Sequence, residues 1–324
     1  MRRRAFIGLL AGTATWPLAA RAQHPVMPVI GFLHPSSPAA FDVNGFRRGL
    51  VETGYIEGNN VVVEYRWAEN DYERLPSLAA DLVRRKVTVI VATGGSRTAL
   101  TAQAATKTIP VVFMVGVDPV KFGLVVSLNR PGGNLTGIAI LETELMPKLL
   151  ELLHELMPNA PKFAVLVNPG NTGHASVLAD LQTIARKLGH QLLLLNATSS
   201  SELNSGFETL VEERARGLMV LSDAFFFSQS EQIAALATRY SVPAIYPDRK
   251  YVVAGGLMSY APNNVDTDRL VGNYAGRILK GEKPADLPVH LAAKFEFIIN
   301  LPTVRLLGID VPPTLLALAD EVIE

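Results

Sequence analysis

The stretch Pro110-Val-Val-Phe-Met-Val-Gly-Val-Asp-Pro119 decides how this chain folds. Its opening run, Pro110 to Val115, is unbroken, apolar and rich in β-branched side chains, the pattern of a parallel strand buried on both faces. Gly116-Val117-Asp118-Pro119 then ends the strand and leaves an acid at its carboxyl end, where open α/β sheets bind their ligands. The apolar segment from Phe122 to Leu128 is expected to cover the sheet. Arg130-Pro131-Gly132-Gly133-Asn134 is a turn cluster whose glycines accept positive φ at little steric cost.

Outward from this strand, short apolar runs alternate with amphipathic segments, the βαβ rhythm of a parallel sheet. Upstream lie the strand Val29-Ile-Gly-Phe-Leu33 and a helix from about Ala39 to Thr53, with Phe41, Phe46, Leu50 and Val51 on one face and Gly54 as its stop. A strand at Val61 to Tyr65, a helix from Tyr72 to Arg85, a strand at Val87 to Val91 and a helix from Ser96 to Thr106 complete this half. The rhythm restarts at Lys162-Phe-Ala-Val-Leu-Val167. Strands follow at Gln191 to Leu195, Leu218 to Leu221 and Val242 to Tyr246. The helices between them span about His174 to Leu188, Ser201 to Ala215 and Ser228 to Tyr240, the last opened by the capping box Ser228-Gln-Ser-Glu231. Leu257 to Tyr260, a helix near Asp266 to Lys280 and a strand at Phe295 to Asn300 come next; the tail from Pro312 to Glu324 is a terminal helix or partly loose. The fold class is therefore α/β, with two Rossmann-like lobes on parallel sheets and no close sequence identity between the halves.

The segment Asp118-Pro-Val-Lys-Phe-Gly-Leu-Val-Val-Ser-Leu-Asn-Arg-Pro-Gly-Gly-Asn-Leu-Thr-Gly137 resembles a signature of the ABC-type solute-binding proteins of the tryptophan/tyrosine branch, and the similarity runs from about Val29 to about Ile309. The resemblance implies the two-lobed type I periplasmic binding protein fold, with a hinge of three chain crossings near Ile140, Tyr260 and Pro288. On that basis lobe 1 comprises residues 27–140 plus 261–288, and lobe 2 residues 141–260 plus 289–324.

The amino-terminal residues indicate a compartment. Arg3-Arg4-Ala5-Phe6-Ile7 has the twin-arginine pattern, followed by a modest apolar run to Leu18 and the small-residue site Ala20-Arg21-Ala22. That reads as a Tat-type signal over residues 1–22, cleaved after Ala22. The competing reading, a membrane anchor, needs roughly 20 apolar residues, and Gly12, Thr13, Thr15 and Pro17 interrupt this run. The chain has no cysteine, which excludes disulfides, thiolate metal sites, cysteine nucleophiles and a lipid-bearing mature terminus. The expected location is the periplasm, without a lipid anchor. Removing Arg2, Arg3, Arg4 and Arg21 leaves 26 basic against 30 acidic residues, so the mature chain is mildly acidic. Without basic runs it is no candidate for nucleic-acid binding. At 324 residues and 48% hydrophobic content it has ample core for two domains.

Loops at strand carboxyl ends are the first candidates for ligand contact. The first strand ends in His34-Pro35-Ser36-Ser37, and the third in Thr93-Gly94-Gly95-Ser96 running into a helix. N–H groups and hydroxyls at a helix N-terminus suit a carboxylate, although Ser96 also reads as a simple N-cap. The second half offers Asn168 and Asn171, which either bond a ligand or shape a turn. It also offers Asp223-Ala-Phe225-Phe226-Phe227 and Tyr246-Pro-Asp248-Arg249. By the resemblance Asp223 and Asp248 face the cleft, with Asp118 a third candidate. Such an acid either pairs with a ligand ammonium group or caps the helix or turn that follows, the stronger reading for Asp118. Phe225 is the expected stacking residue. Phe226, Tyr246 and Tyr260 are further aromatics compatible with an aromatic acid lacking an amino group.

Enzyme motifs fail in turn. Gly94-Gly95-Ser96-Arg97-Thr98 lacks the last glycine of a nucleophile elbow. Neither a phosphate-binding loop nor a dinucleotide fingerprint is present. The histidines, His24, His34, His154, His174, His190 and His290, have no metal spacing; His154 and His190 read as surface or strand-edge residues, and His34 alone sits at a cleft loop. No cofactor is expected. The leading reading is a monomeric periplasmic receptor that closes over a small organic solute, an amino acid or aromatic acid, and delivers it to an ABC permease in the inner membrane. The alternatives are a Tat-exported α/β enzyme, or a sensing domain that reports a solute to a membrane kinase.

Overall fold

The computed structural model describes residues 27–292 and 294–324, with side chains other than those at 142–144, 176, 264 and 265. The expected signal at residues 1–22 lies outside the described residues. Strands β1 (Val29–His34), β2 (Val62–Trp67), β3 (Val89–Ala92), β4 (Val111–Val115) and β5 (Leu135–Ala139) form a first sheet. Strands β6 (Lys162–Val167), β7 (Gln191–Asn196), β8 (Leu218–Val220), β9 (Ala244–Tyr246) and β10 (Met258–Pro262) form a second. The short β11 (His290–Leu291) then returns to the first sheet, while β12 (Phe295–Asn300) and β13 (Glu321–Ile323) extend the second.

The spatial orders are β11-β5-β4-β3-β1-β2 and β13-β12-β10-β9-β8-β6-β7. Each sheet thus places its second strand outside its first, then its third, fourth and fifth on the other side. In such doubly wound sheets the direction of winding reverses between first and third strands, and the loops there diverge to leave a crevice. Those loops follow β1 and β3 in one lobe and β6 and β8 in the other.

Helices α1 (Asn44–Glu52), α2 (Leu75–Arg84) and α3 (Ser96–Ala105) connect the first strands. α4 (Glu142–Leu156), α5 (His174–Lys187), α6 (Ser200–Glu212), α7 (Ala224–Ser228), α8 (Ser230–Arg239) and α9 (Arg249–Val253) serve the second sheet. α10 (Asn264–Leu279), α11 (Leu301–Leu307) and α12 (Pro313–Leu318) follow. β4 is buried at Val111, Val112, Phe113 and Val115, as its apolar run requires. Aliphatic and aromatic side chains fill both faces of each sheet. α10 leaves the second sheet at β10 yet packs on α1 of the first lobe. The two helix backbones touch there: a Cβ on Gly272 would lie 2.0 Å from the Phe46 carbonyl oxygen. Any larger residue would force α10 away and carry Asp268 with it.

Several expectations change. β11 pairs in parallel with β5, so the third passage between sheets follows Leu291 instead of lying near Pro288. β12 runs antiparallel to β10, so the second sheet is not wholly parallel. The tail is ordered into α12 and β13, with β13 parallel to β12. The first helix starts at Asn44 because the Asp42 carboxylate accepts from the Asn44 N–H in a local turn, at 2.9 Å, which leaves Phe41 in the loop. Ser228-Gln-Ser-Glu231 is not a capping box: Ser228 ends α7, where its hydroxyl donates to the Phe225 carbonyl, and Gln229 precedes α8 without a side-chain cap. Of the two histidines expected at the surface or a strand edge, His190 immediately precedes the edge strand β7 and is buried there, paired with the half-buried His154 at 2.7 Å and with the Ala160 carbonyl at 2.6 Å.

Candidate functional site

Loops from both lobes enclose a cavity of about 170 Å³ at the two winding reversals. From lobe 1 it is lined by His34 after β1 and by Gly94, Gly95 and Ser96 after β3. Lobe 2 supplies Asn171, Asp223, Phe227, Asp248 and Tyr251. Asp268 enters from α10, and Phe41 from the loop before α1. Phe41, Phe227, Asp248, Pro262 and Asp268 also line an adjoining recess of about 810 Å³, whereas His34 and Gly94 to Ser96 belong to the smaller cavity alone. The aspartates Asp248 and Asp268 therefore stand at one side of the cavity and the α3 loop at another.

The α3 loop is shaped to receive an acceptor. Gly94 and Gly95 adopt φ of 85° and 117°, the region that favours glycine. A Cβ on Gly94 would lie 2.4 Å from the Pro35 ring, so this glycine is required by packing. A Cβ on Gly95 would meet no atom within 4 Å, because it would point into open space. Ser96 is buried and its hydroxyl has no partner among the described residues. It begins the helix instead of capping it, since Gly95 occupies the cap position. The N–H groups of the first turn lack intrahelical acceptors by construction.

His34 adjoins this loop. Its Nδ1 accepts the Ser36 N–H at 3.1 Å, and its ring lies on Phe41 with centroids 4.2 Å apart. Burial pushes its pKa down to about 3, so the ring is neutral.

The corresponding loops of lobe 2 are bonded throughout. The Asp223 carboxylate accepts from Phe225 N–H and Phe226 N–H at the start of α7, and from the amides of Asn168 at 2.9 Å and Asn171 at 3.1 Å. It also accepts from Tyr72 Oη of lobe 1 at 2.9 Å. Burial, then the Asp223 charge, holds the Tyr72 phenol well above its usual range, so it stays a donor. Arg97 of lobe 1 reaches the Gly170 carbonyl of lobe 2 at 3.2 Å and lies over the Tyr72 ring. Asp248 caps α9 through the Lys250 N–H. Burial, then Asp248 and Asp42, pushes the Asp268 carboxyl up to about 8.

Of the residues singled out in the sequence, the cavity brings together His34, Gly94, Gly95, Ser96, Asn171, Asp223 and Asp248. The others do not line it. Ser36 and Thr93 are buried behind the loops and Ser37 sits in the turn that follows β1, where its carbonyl accepts from Ala40. Asp118 accepts from the Val120 and Lys121 N–H groups as a turn cap. Asn168 holds Asp223 and its own turn. Phe225 packs in the core with Phe226 and Tyr246, and its neighbour Phe227 faces the cavity instead. Tyr260 stacks on Phe295, with centroids 5.7 Å apart. Sequence reasoning missed Asp268, Phe41, Phe227 and Tyr251. Asp268 lies mid-helix, and only the passage of α10 back to lobe 1 marks it. Among the described residues no cluster of acids and histidines suits a metal ion, and no helix is long and apolar enough to cross a membrane.

The family model for ABC transporter substrate-binding proteins matches residues 29–323. The chain is 31% identical over 277 residues to a tyrosine-binding protein of Clostridioides difficile strain R20291, covering 85% of this chain and 78% of that one. It superposes with a TM-score of 0.81 on an ABC domain from Streptococcus pneumoniae in complex with L-Trp, at 26% identity over 91% of this chain and 99% of the other. A conserved domain protein of Vibrio cholerae gives the same TM-score at 28% identity, with the same coverage of both chains. The two doubly wound lobes are those of a type I periplasmic binding protein. The chain belongs to the ABC transporter substrate-binding protein family, whose members bind solutes and are not enzymes.

Proposed function

We propose that the protein is a periplasmic receptor that closes its lobes over an amino acid with an aromatic side chain and delivers it to an ABC permease. The observation that carries this reading is the charge of the cavity. Among the described residues every charged side chain that lines it is an acid, Asp223, Asp248 or Asp268, with no lysine or arginine. Asp223 accepts from five donors, whereas Asp248, which also caps α9, and Asp268 stand together at the other side of the cavity to meet a ligand ammonium group. An aromatic acid without an amino group would bring a further carboxylate among these acids with nothing to offset it. A zwitterion places its carboxylate at the α3 loop and its ammonium between the aspartates. Phe41, Phe227 and Tyr251 offer apolar ring surface for the side chain. Tyrosine and tryptophan, named for two of the relatives, fit this description.

Ligand contacts to both lobes favour the closed arrangement, the usual basis of hinge closure. The Arg3-Arg4 signal pattern and the Ala20-Arg21-Ala22 site support export and cleavage, and the receptor is taken to act as a monomer. The test is mass spectrometry of the solute retained after gentle purification, followed by calorimetric titration with L-tyrosine, L-tryptophan and their deaminated acids. The amino acids should bind at least about 100-fold more tightly than the deaminated forms, as expected when a buried charge loses its partner. Tighter binding of a deaminated acid would overturn the reading.

A further inference from the structure

We propose that His34 is a ligand-binding residue: its Nε2–H, fixed as a donor by the Ser36 N–H on Nδ1, joins Ser96 and the first turn of α3 in holding the solute carboxylate. The inference rests on reading the cavity as an amino acid site and adds the residue that selects the acid end.

The tautomer follows from one bond. A backbone N–H can only donate, so Nδ1, 3.1 Å from the Ser36 nitrogen, must carry a lone pair. A neutral imidazole then bears its proton on Nε2. That atom has no partner among the described residues, although His34 is only 3% exposed. The side chain lines the cavity, so this N–H is presented to whatever fills it. Its direction is set by Gly94: a Cβ there would come within 2.9 Å of Nε2, which puts this nitrogen beside the backbone that leads to Ser96. The ring is held from behind by Phe41, Phe32 and Trp67.

Three observations thus converge on one place. The Nε2–H of His34, the unpartnered hydroxyl of Ser96 and the free N–H groups of a ten-residue helix all await an acceptor. None of them is a cation, which matters next to three aspartates. A protonated histidine or an arginine here would be attracted to Asp223, Asp248 or Asp268 and offset the charge that an ammonium group requires. Neutral donors bind the carboxylate without that competition. Burial keeps the ring neutral across the physiological range.

His174 shows the same wiring in lobe 2 with the donor already used. Its Nδ1 accepts from the Asn168 N–H at 3.3 Å, and its Nε2–H donates to the Ser222 carbonyl at 2.9 Å. The two histidines differ in what Nε2 meets, a carbonyl in one lobe and the cavity in the other.

The test combines two readouts. Nitrogen-15 NMR of the wild-type imidazoles reads the tautomer directly; protonated Nδ1 at His34 would overturn the proposal. Calorimetry then compares wild type, His34→Leu and His34→Gln against L-tryptophan, tryptamine and 3-phenylpropionate. His34→Leu should weaken each carboxylate ligand that the wild type binds by about 10- to 100-fold, the effect expected for a hydrogen bond to a charged group. It should leave tryptamine unchanged, and His34→Gln, whose amide also donates, should recover most of the loss. Wild-type affinity of His34→Leu for a carboxylate, or an equal loss for tryptamine, would overturn it. If the wild type binds 3-phenylpropionate and not tryptophan, the amino acid reading fails while His34 is still judged on the acid.

Discussion

The two lobes have the same strand order, yet their cleft loops are finished differently. After β6 and β8, Asn168, Asn171, His174 and Asp223 bond one another and the backbone until no side chain in the group lacks a partner. After β1 and β3, the hydroxyls of Ser36, Thr93 and Ser96 are buried without partners, and the Nε2 of His34 has none among the described residues. Identical winding therefore does not produce identical chemistry. Lobe 2 carries a prewired platform that fixes loop geometry before any solute arrives, which reduces the ordering that binding requires. At the cavity itself, lobe 1 presents in Ser96 and His34 donors whose bonds remain to be made. Ligand affinity should then depend most on lobe 1, and folding stability most on lobe 2.

The largest test of that contrast is Asp223→Ala. It removes the cap of α7 and strands the buried Asn168 amide and the Tyr72 hydroxyl, while the Asn171 amide keeps the Ser222 carbonyl. Loss of about 3–5 kcal/mol of stability is expected, read as a Tm lower by roughly 6–15 °C. A stable Asp223→Ala variant would mean that the platform is not what holds lobe 2 together.

Gly95→Val probes the opposite lobe. Its side chain would enter open space that the solute carboxylate is proposed to fill. Affinity should fall about 100-fold, while the left-handed φ costs only about 1–3 kcal/mol of stability. Normal binding by the folded variant, with Tm sharply lowered, would make this loop structural and move the carboxylate to lobe 2.

Asp268 sharpens the charge argument through pH. Its folded pKa is raised, so between about pH 4 and pH 8 the native state holds a proton that the unfolded chain has released. Stability from this group is complete at low pH and is lost as pH rises through about 8. Asp268→Asn should remove that decline and raise the Tm of the unliganded protein at about pH 8 by roughly 2–6 °C. Binding has the opposite slope. An ammonium ligand favours the ionised carboxylate, so wild-type affinity should increase about tenfold from pH 6 to pH 8 with proton release, and Asp268→Asn should show neither. A wild-type affinity that is flat over that range would take the ammonium away from Asp268.

The fold was readable from the sequence because buried parallel strands leave short β-branched apolar runs, bounded by turn residues and alternating with amphipathic helices. Val111 to Val115 and Lys162 to Val167 fall where those runs stand. The site was readable where a loop follows a strand directly, as at Gly94 to Ser96, and much less elsewhere. Phe225, Phe226 and Phe227 are indistinguishable in composition, and only the short helix that Asp223 caps turns the third toward the cavity. Asp268 depends on contacts between α1 and α10, more than two hundred residues apart in sequence, that carry no local signal. Asp248 lies at a strand end and is visible; its partnership with Asp268 across the lobes is not.

The smallest predicted effect bears on how the halves communicate. The Tyr72 hydroxyl is donated across the cleft to Asp223, and Arg97 crosses beside it to the Gly170 carbonyl. Tyr72→Phe deletes the first bond and keeps the ring under the Arg97 guanidinium. The Asp223 carboxylate keeps its lobe 2 donors, so neither the platform nor the α3 loop should be disturbed. What is lost is one contact between the lobes, worth about 1 kcal/mol net. Solute should dissociate about five times faster in stopped-flow measurements, with the association rate and Tm close to wild type. Such a variant separates the two roles: a faster release without loss of stability places Tyr72 in closure, whereas a lower Tm with unchanged release would make it part of the lobe 2 platform, reached from the other side.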